Sequence, residues 1–380
     1  MRIVIAPDSF KGSLDAPQAG EAIAKGVRRA APHSETIILP MADGGEGTMQ
    51  CLIAATNGKL VPVRVSGPLG APTESHYGLL GDGETAVVEL AAASGLYLLD
   101  PEDRNPLRTT TFGFGQLIRQ ALDDGVRRFI LALGGSATND GGAGMLQVLG
   151  LQLLDDEGRE IGYGGGELNK LAEIRSENLD ARLAECEFAV ACDVDHPFVG
   201  PNGASAVFGP QKGATPEMVT ELDRALTRFA DIIAATAGVS VHAIPGSGAA
   251  GGTAGGVLAF LKARLEPGAP LVARSIGLKE AIANADLVIT GEGRIDAQTA
   301  GGKTPLGVAG IAATHGVPAI VLAGSVGEGI SELHERGITA VFGILDQPMP
   351  LAEAMERTAE LLEKTAEQAM RLFALAKSAP

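Results

Sequence analysis

RIVIAPDSFKGSLDAPQAGEAIAKGVRRAAPHSETIIL, residues 2–39, is the stretch from which the fold class follows. The apolar run from Arg2 to Ala6 predicts a strand that stops at Pro7 and Asp8, where a polar loop begins. Ala19, Ala22, Ile23, Val27 and Ala30 then recur at helical spacing and predict a helix from about Pro17 to Ala31. A second apolar run, Thr36 to Leu39, leads through a glycine-rich turn into another helical stretch, Thr48 to Thr56. A β-α-β-α order of this kind opens a parallel sheet. The same alternation returns at the far end of the chain. Strands are expected at Asp286–Ile289, Ala319–Leu322 and Ala340–Phe342, interleaved with helices, and a last amphipathic helix from about Leu351 to Ala376.

The middle has a different character. From Pro62 to Leu90, short β-branched runs alternate with turn signals, and Asp82-Gly83 reads as a hairpin turn. A helix is expected near Phe114 to Asp124, then strands at Arg128–Leu133 and Glu187–Cys192. A long helix should follow Thr215-Pro216, with Thr as N-cap and Pro at the first helical position. The simplest organisation is one α/β domain made from both chain ends, residues 1–63 and 274–380, with an α+β domain, residues 64–273, inserted between them. A chain of 380 residues is long enough for two domains.

Composition narrows the function. With 46 acidic against 30 basic residues the formal net charge is −16, a field that repels nucleic-acid phosphates and anionic lipid. A small anionic substrate needs only a local positive pocket and stays allowed. The three cysteines, Cys51, Cys186 and Cys192, are too scattered for a zinc site or a disulfide framework. The N-terminal apolar run is too short for the core of a signal peptide, and no run approaches the roughly eighteen apolar residues of a membrane span. A cytoplasmic protein is expected, without nucleic-acid or membrane partners.

Fifty-two glycines, roughly twice the usual share, concentrate in loops beside acids. Two of these loops, Gly134 to Gly142 and Gly246 to Gly252, stand before apolar helical stretches, where tight turns can aim backbone N–H groups at an anion. The segment AQTAGGKT, residues 297–304, fits a relaxed phosphate-loop pattern, but the expected strand ends near Thr290, too early for it. No G-x-G-x-x-G follows the first strand, no serine sits in a G-x-S-x-G elbow, and the six histidines form no H-x-x-x-H pair. Dinucleotide binding, serine hydrolysis and zinc hydrolysis therefore lack support. His196 beside Asp193 and Asp195 could suggest a metal cluster, but a loop histidine before proline more often faces solvent.

Taken in order, APDSFKGSL, MADGGEGT, GGSATNDGGAGM, CDVDHPFVGPNGAS, FGPQKGA, PGSGAAGG and TGEGRIDAQT–GK–P resemble the type I glycerate kinases over essentially the whole chain. The resemblance is strongest to bacterial enzymes of glycolate, glyoxylate and glucarate catabolism. It implies ATP- and Mg²⁺-dependent phosphorylation of D-glycerate, with 2-phosphoglycerate favoured over 3-phosphoglycerate. It also implies a Rossmann-like or flavodoxin-like domain carrying an inserted second domain, with the active site expected in the cleft between them. His196 and Phe198 depart from the Asn and Leu expected at those positions, which puts fine positioning there in question. A homo-oligomer is allowed.

Phosphoryl transfer needs anion-binding loops, a divalent cation on carboxylates, a cation on the transferred group and a base near the attacking hydroxyl. Gly134, Gly135, Ser136, Thr138, Asn139, Gly246, Ser247 and Gly248 are the phosphate-binding candidates. Asp43, Glu46 and Asp296 are candidate Mg²⁺ ligands, with Asp8 as a further oxygen donor. Asp8, Ser9, Lys11, Arg294 and Asp296 are the substrate-binding candidates, and Lys11 and Arg294 can also steady the transferred group. Asp193, at the end of an apolar run, is the expected base, with Asp296 and Asp8 next. The residues alone do not divide base, metal ligand and carboxylate clamp among these groups. The rival readings are a nicotinamide-dependent dehydrogenase and a bilobal solute-binding protein.

Overall fold

The computed structural model describes residues 1–45, 47–296 and 304–378. The expected metal ligand Glu46 and nearly all of the AQTAGGKT segment lie outside these residues. The chain divides into two compact units, one of residues 1–43, 50–57 and 269–380, the other of residues 44–49 and 58–268. The strand Lys59–Ser66 runs through residue 63 and belongs whole to the second unit.

The first unit is a five-stranded parallel sheet. Its order is Ile338–Gly343, Ala319–Val326, Leu287–Ile295, Arg2–Ile5, Glu35–Ile38. The first strand therefore lies beside a strand from the far end of the sequence, with Ile3 opposite Leu287 and Ile5 opposite Ile289. Asp15 caps the helix Ala16–Ala30 by accepting from the Gln18 N–H at 2.8 Å, and Pro17 pre-sets its first turn. The buried face of this helix, Ala19, Ile23 and Val27, packs with Leu361, Leu362, Ala366 and Met370 of the C-terminal helix.

The C-terminal helix differs from expectation. It is two helices, Leu351–Glu356 and Thr358–Ser378, parted at Arg357. The Ser13 hydroxyl donates to the Met355 carbonyl at 2.5 Å, and the Thr358 hydroxyl donates to Ala354 and Met355 carbonyls. Side-chain donors at these carbonyls compete with the helix's own bonds and turn the chain there. The strand expected to end near Ile289 runs on to Ile295, pairing Arg294 with Ser325. Its end thus lies close to the AQTAGGKT segment, and the spacing argument against a phosphate loop there loses its ground.

The second unit holds a six-stranded mixed sheet, ordered Arg264–Glu266, Glu187–Ala191, Arg128–Ala132, Thr85–Glu89, Pro72–Leu79, Lys59–Ser66. The first four strands are parallel and the last two join by antiparallel pairing. Asp82 forms the hairpin turn by accepting from the N–H groups of Glu84 and Thr85, each at 2.9 Å. The core contains Phe114, Phe129, Phe188, Phe198 and Phe229. Thr215 caps the helix Pro216–Ala237, as its sequence predicts. Among the described residues no helix is long and apolar enough to cross a membrane.

Candidate functional site

In an open parallel sheet the ligand crevice lies beyond the carboxyl ends of the strands, where the order of connection reverses. Here that point falls between Arg2–Ile5 and Leu287–Ile295. From the first strand the chain proceeds to one edge, and from the second it proceeds to the other. A cavity of about 500 Å³ opens there, within the first unit.

The loop after the first strand is gripped on both sides. The Asp8 N–H donates to the Gly291 carbonyl at 2.8 Å, and the Pro7 carbonyl accepts from the Met41 N–H at 2.8 Å. Phe10 is buried and anchors the loop, while its N–H and carbonyl close a tight turn with Leu14 and Ser13. This hold aims Asp8, Ser9 and Lys11 into the cavity. Asp8 Oδ2 accepts from the Thr304 hydroxyl at 2.6 Å and Oδ1 from the Ser9 N–H at 2.6 Å. Burial nevertheless holds its carboxyl above the usual carboxylate range. The two hydrogen bonds act against that shift, and the charge of Asp43 adds to it.

Asp43 and Arg294 complete the polar lining together with Glu292 and Ser325. Arg294 is largely exposed, and its Nε pairs with Asp296 Oδ2 at 2.8 Å. Lys11 is exposed and makes no ion pair among the described residues. Asp8, Ser9, Lys11, Asp43 and Arg294, all expected from sequence, are thus brought to one cavity. The remaining wall was not foreseen. Ile344, Leu345, Leu351, Ala354 and Met355 form it, from the end of the last strand and the helix after it.

The second unit carries both glycine loops expected to bind phosphate. The helix after Gly142 is only six residues, Ala143–Val148. Its N-terminal amides are already satisfied by the chain's own carboxylate, because Asp140 accepts from Gly142 at 3.1 Å and Gly144 at 3.3 Å. Asp140 is fully buried and also takes the Thr111 N–H and hydroxyl, at 2.8 and 2.9 Å; burial raises its pKa against these bonds. The second loop is closed in the same way. The Ser247 N–H donates to Ile244, Gly248 to His196, Gly252 to Gly248 and Gly255 to Ser247. Gly246, Ser247 and Gly248 are buried, as are Thr138 and Asn139; the Ser247 hydroxyl donates to the Ile244 carbonyl at 2.6 Å and Asn139 Nδ2 to Ser205 Oγ at 2.9 Å. Only Gly134 and Gly135 are exposed in the first loop, next to Ser136. The two loops also join each other through Gly141 N–H and the Gly251 carbonyl at 2.9 Å.

Lys212, a residue the sequence reading passed over, is threaded into the first loop. Its ammonium is buried and donates to Ser136 Oγ at 2.8 Å and to the Thr138 carbonyl at 2.6 Å. Burial pushes its pKa down to about 7, with Asp140 working the other way. Asp193 follows the strand Glu187–Ala191, and its Oδ1 accepts from the Gly268 N–H at 3.0 Å. His196 packs edge-on to Phe208 and bonds the Asn202 carbonyl, while Phe198 is fully buried near Phe229. Both departures from the expected pattern therefore have packing roles. Among the described residues no group of three or more His, Cys, Asp or Glu is arranged to hold a metal ion.

A model of the glycerate kinase family matches residues 3–374. The chain is 52% identical over 364 residues to a glycerate kinase of Halalkalibacterium halodurans, covering 96% of each. It is 50% identical over 354 residues to a protein of Escherichia coli named glycerate 2-kinase, covering 93% of each. A crystal structure from Salmonella typhimurium LT2, described as a glycerate kinase 2, superposes with a TM-score of 0.92 at 47% identity, covering 100% of both chains.

Proposed function

The chain belongs to the glycerate kinase family, and from that premise we propose that it transfers the γ-phosphoryl group of ATP to the 2-hydroxyl of D-glycerate. The name of the Escherichia coli relative supports the 2-hydroxyl, as does the run of motifs shared with enzymes of glycolate, glyoxylate and glucarate catabolism, where we place the reaction.

The observation that carries this reading is the meeting of Asp8 and Asp43 at the switch point of the sheet, with Lys11 and Arg294 around the same cavity. The charge of Asp43 makes ionised Asp8 costlier, and two acids meeting in this way suit a shared divalent cation. Their hard oxygens match Mg²⁺, which takes one or two carboxylates together with substrate phosphates and water. When bound, Mg²⁺ would neutralise charge on the phosphate oxygens. Asp8 is then a metal ligand held in place by Thr304 and Ser9, and Asp43 its partner. Lys11 is placed to steady the transferred group, and Arg294 to grip the glycerate carboxylate by its guanidinium.

Asp193 remains our choice for the base. It stands at the end of a buried strand, and its bond from Gly268 fixes the carboxylate's orientation, as hydroxyl activation requires. ADP release from ATP, measured with and without D-glycerate, tests the function. Glycerate-dependent release that stops in excess EDTA is expected. Absence of any glycerate dependence removes the reading, and full turnover in EDTA removes the metal from it.

A further inference from the structure

The cavity of the first unit is larger than glycerate needs. About 500 Å³ is the scale of a site for a nucleotide-sized ligand, several times the volume of a three-carbon acid. Its lining is also divided by origin. Residues 8–11, Asp43 and Glu292–Arg294 supply charge and hydrogen-bonding groups, whereas Ile344, Leu345, Leu351 and Met355 supply an apolar wall. Leu351 is 74% exposed and Leu345 is 45% exposed, so neither is held there by core packing. Exposed leucines beside charged groups, at the switch point of a parallel sheet, are what a flat apolar ring with an anionic tail would cover.

In the glycine loops of the second unit, by contrast, Asp140 already takes the Gly142 and Gly144 amides, and the Ser247, Gly248 and Gly252 amides donate to backbone carbonyls. We infer that the wall formed by Ile344, Leu345, Leu351 and Met355 is the purine subsite of ATP, with the polyphosphate running toward Lys11. The inference rests on the kinase reading above and reassigns the nucleotide from the glycine loops to the first unit. The Ser13 bond to the Met355 carbonyl gives the wall a fixed place beside the Asp8 loop.

The test uses the full chain and reads binding separately from turnover. Displacement of trinitrophenyl-ATP by adenosine reports the base subsite whether or not glycerate is the acceptor, so failure of the subsite and failure of the glycerate assignment are told apart. In the double variant Leu345→Ser/Leu351→Ser, adenosine should compete about ten-fold less well, and KM for ATP should rise about ten-fold. KM for glycerate should stay within about two-fold, because the wall does not touch the acid. If the double variant misfolds by circular dichroism, Leu351→Ser alone carries the same direction at an exposed position. Unchanged adenosine competition would overturn the inference, as would a rise confined to KM for glycerate.

Discussion

The Thr304 hydroxyl donates to Asp8 Oδ2 at 2.6 Å, joining residues 296 positions apart in the sequence. Asp8 opens the loop after the first strand, and Thr304 opens the helix Thr304–Thr314, so one bond fastens the N-terminal and C-terminal parts of the first unit at the cavity. Thr304→Val keeps the shape and removes the donor. A hydrogen bond to a charged group is worth about 1.5–3 kcal/mol, so turnover should fall by roughly ten-fold or more with the fold intact. Steady-state kinetics beside a circular dichroism melt checks this, and unchanged turnover would show that Asp8 needs no orienting partner.

Lys212 gives the chain a pH signature. Its folded pKa is pushed down to about 7 from an ordinary 10.5, so above about pH 7 the native state sheds a proton that the unfolded state keeps. Wherever the unfolded state binds more protons, stability rises with pH, here by up to about 1.4 kcal/mol per unit between those two values. The wild type should therefore gain stability relative to Lys212→Met between pH 7 and pH 9 in denaturant titrations. Parallel curves would show that the ammonium titrates normally.

Gly251 lies where the two glycine loops meet. It has φ +66°, and an added Cβ would stand 2.1 Å from the Thr138 carbonyl oxygen. Gly251→Ala must part the loops and should cost about 2 kcal/mol or more. Gly238 has a similar φ of +70° but open space around it, so Gly238→Ala should cost only about 1 kcal/mol. Equal losses by denaturant unfolding would mean that backbone strain, not the clash, sets both.

Asp193→Asn separates a base from a cap. Asparagine can still accept from the Gly268 N–H, so folding and substrate binding should persist. Turnover should drop by roughly 10²–10⁴, the usual worth of a positioned base. A variant within a few-fold of wild type would leave Asp193 as a structural acceptor only.

The strands were legible because short apolar runs such as Ile3–Ala6 and Val288–Ile289 have few other uses in a soluble chain. The extension to Ile295 was not, because Gly291, Glu292, Gly293 and Arg294 read locally as a loop; pairing with Ala319–Val326 keeps them extended. The polar half of the cavity was visible as acids and bases placed just beyond strands. Its apolar half was hidden, since Leu351 and Met355 fall in a stretch that reads as an amphipathic helix packing on its own domain. Lys212 was hidden for a different reason. A lysine between Gln211 and Gly213 looks solvent-facing, and only the folded chain shows its ammonium inside the loop that holds Ser136.

Phosphorus NMR of the product made from ATP, Mg²⁺ and D-glycerate bears most directly on the proposed reaction. We expect the resonance of 2-phosphoglycerate to grow in step with ADP. Growth of the 3-phosphoglycerate resonance in its place would contradict transfer to the 2-hydroxyl, and conversion of ATP with no phosphorylated acid would contradict the kinase assignment as a whole.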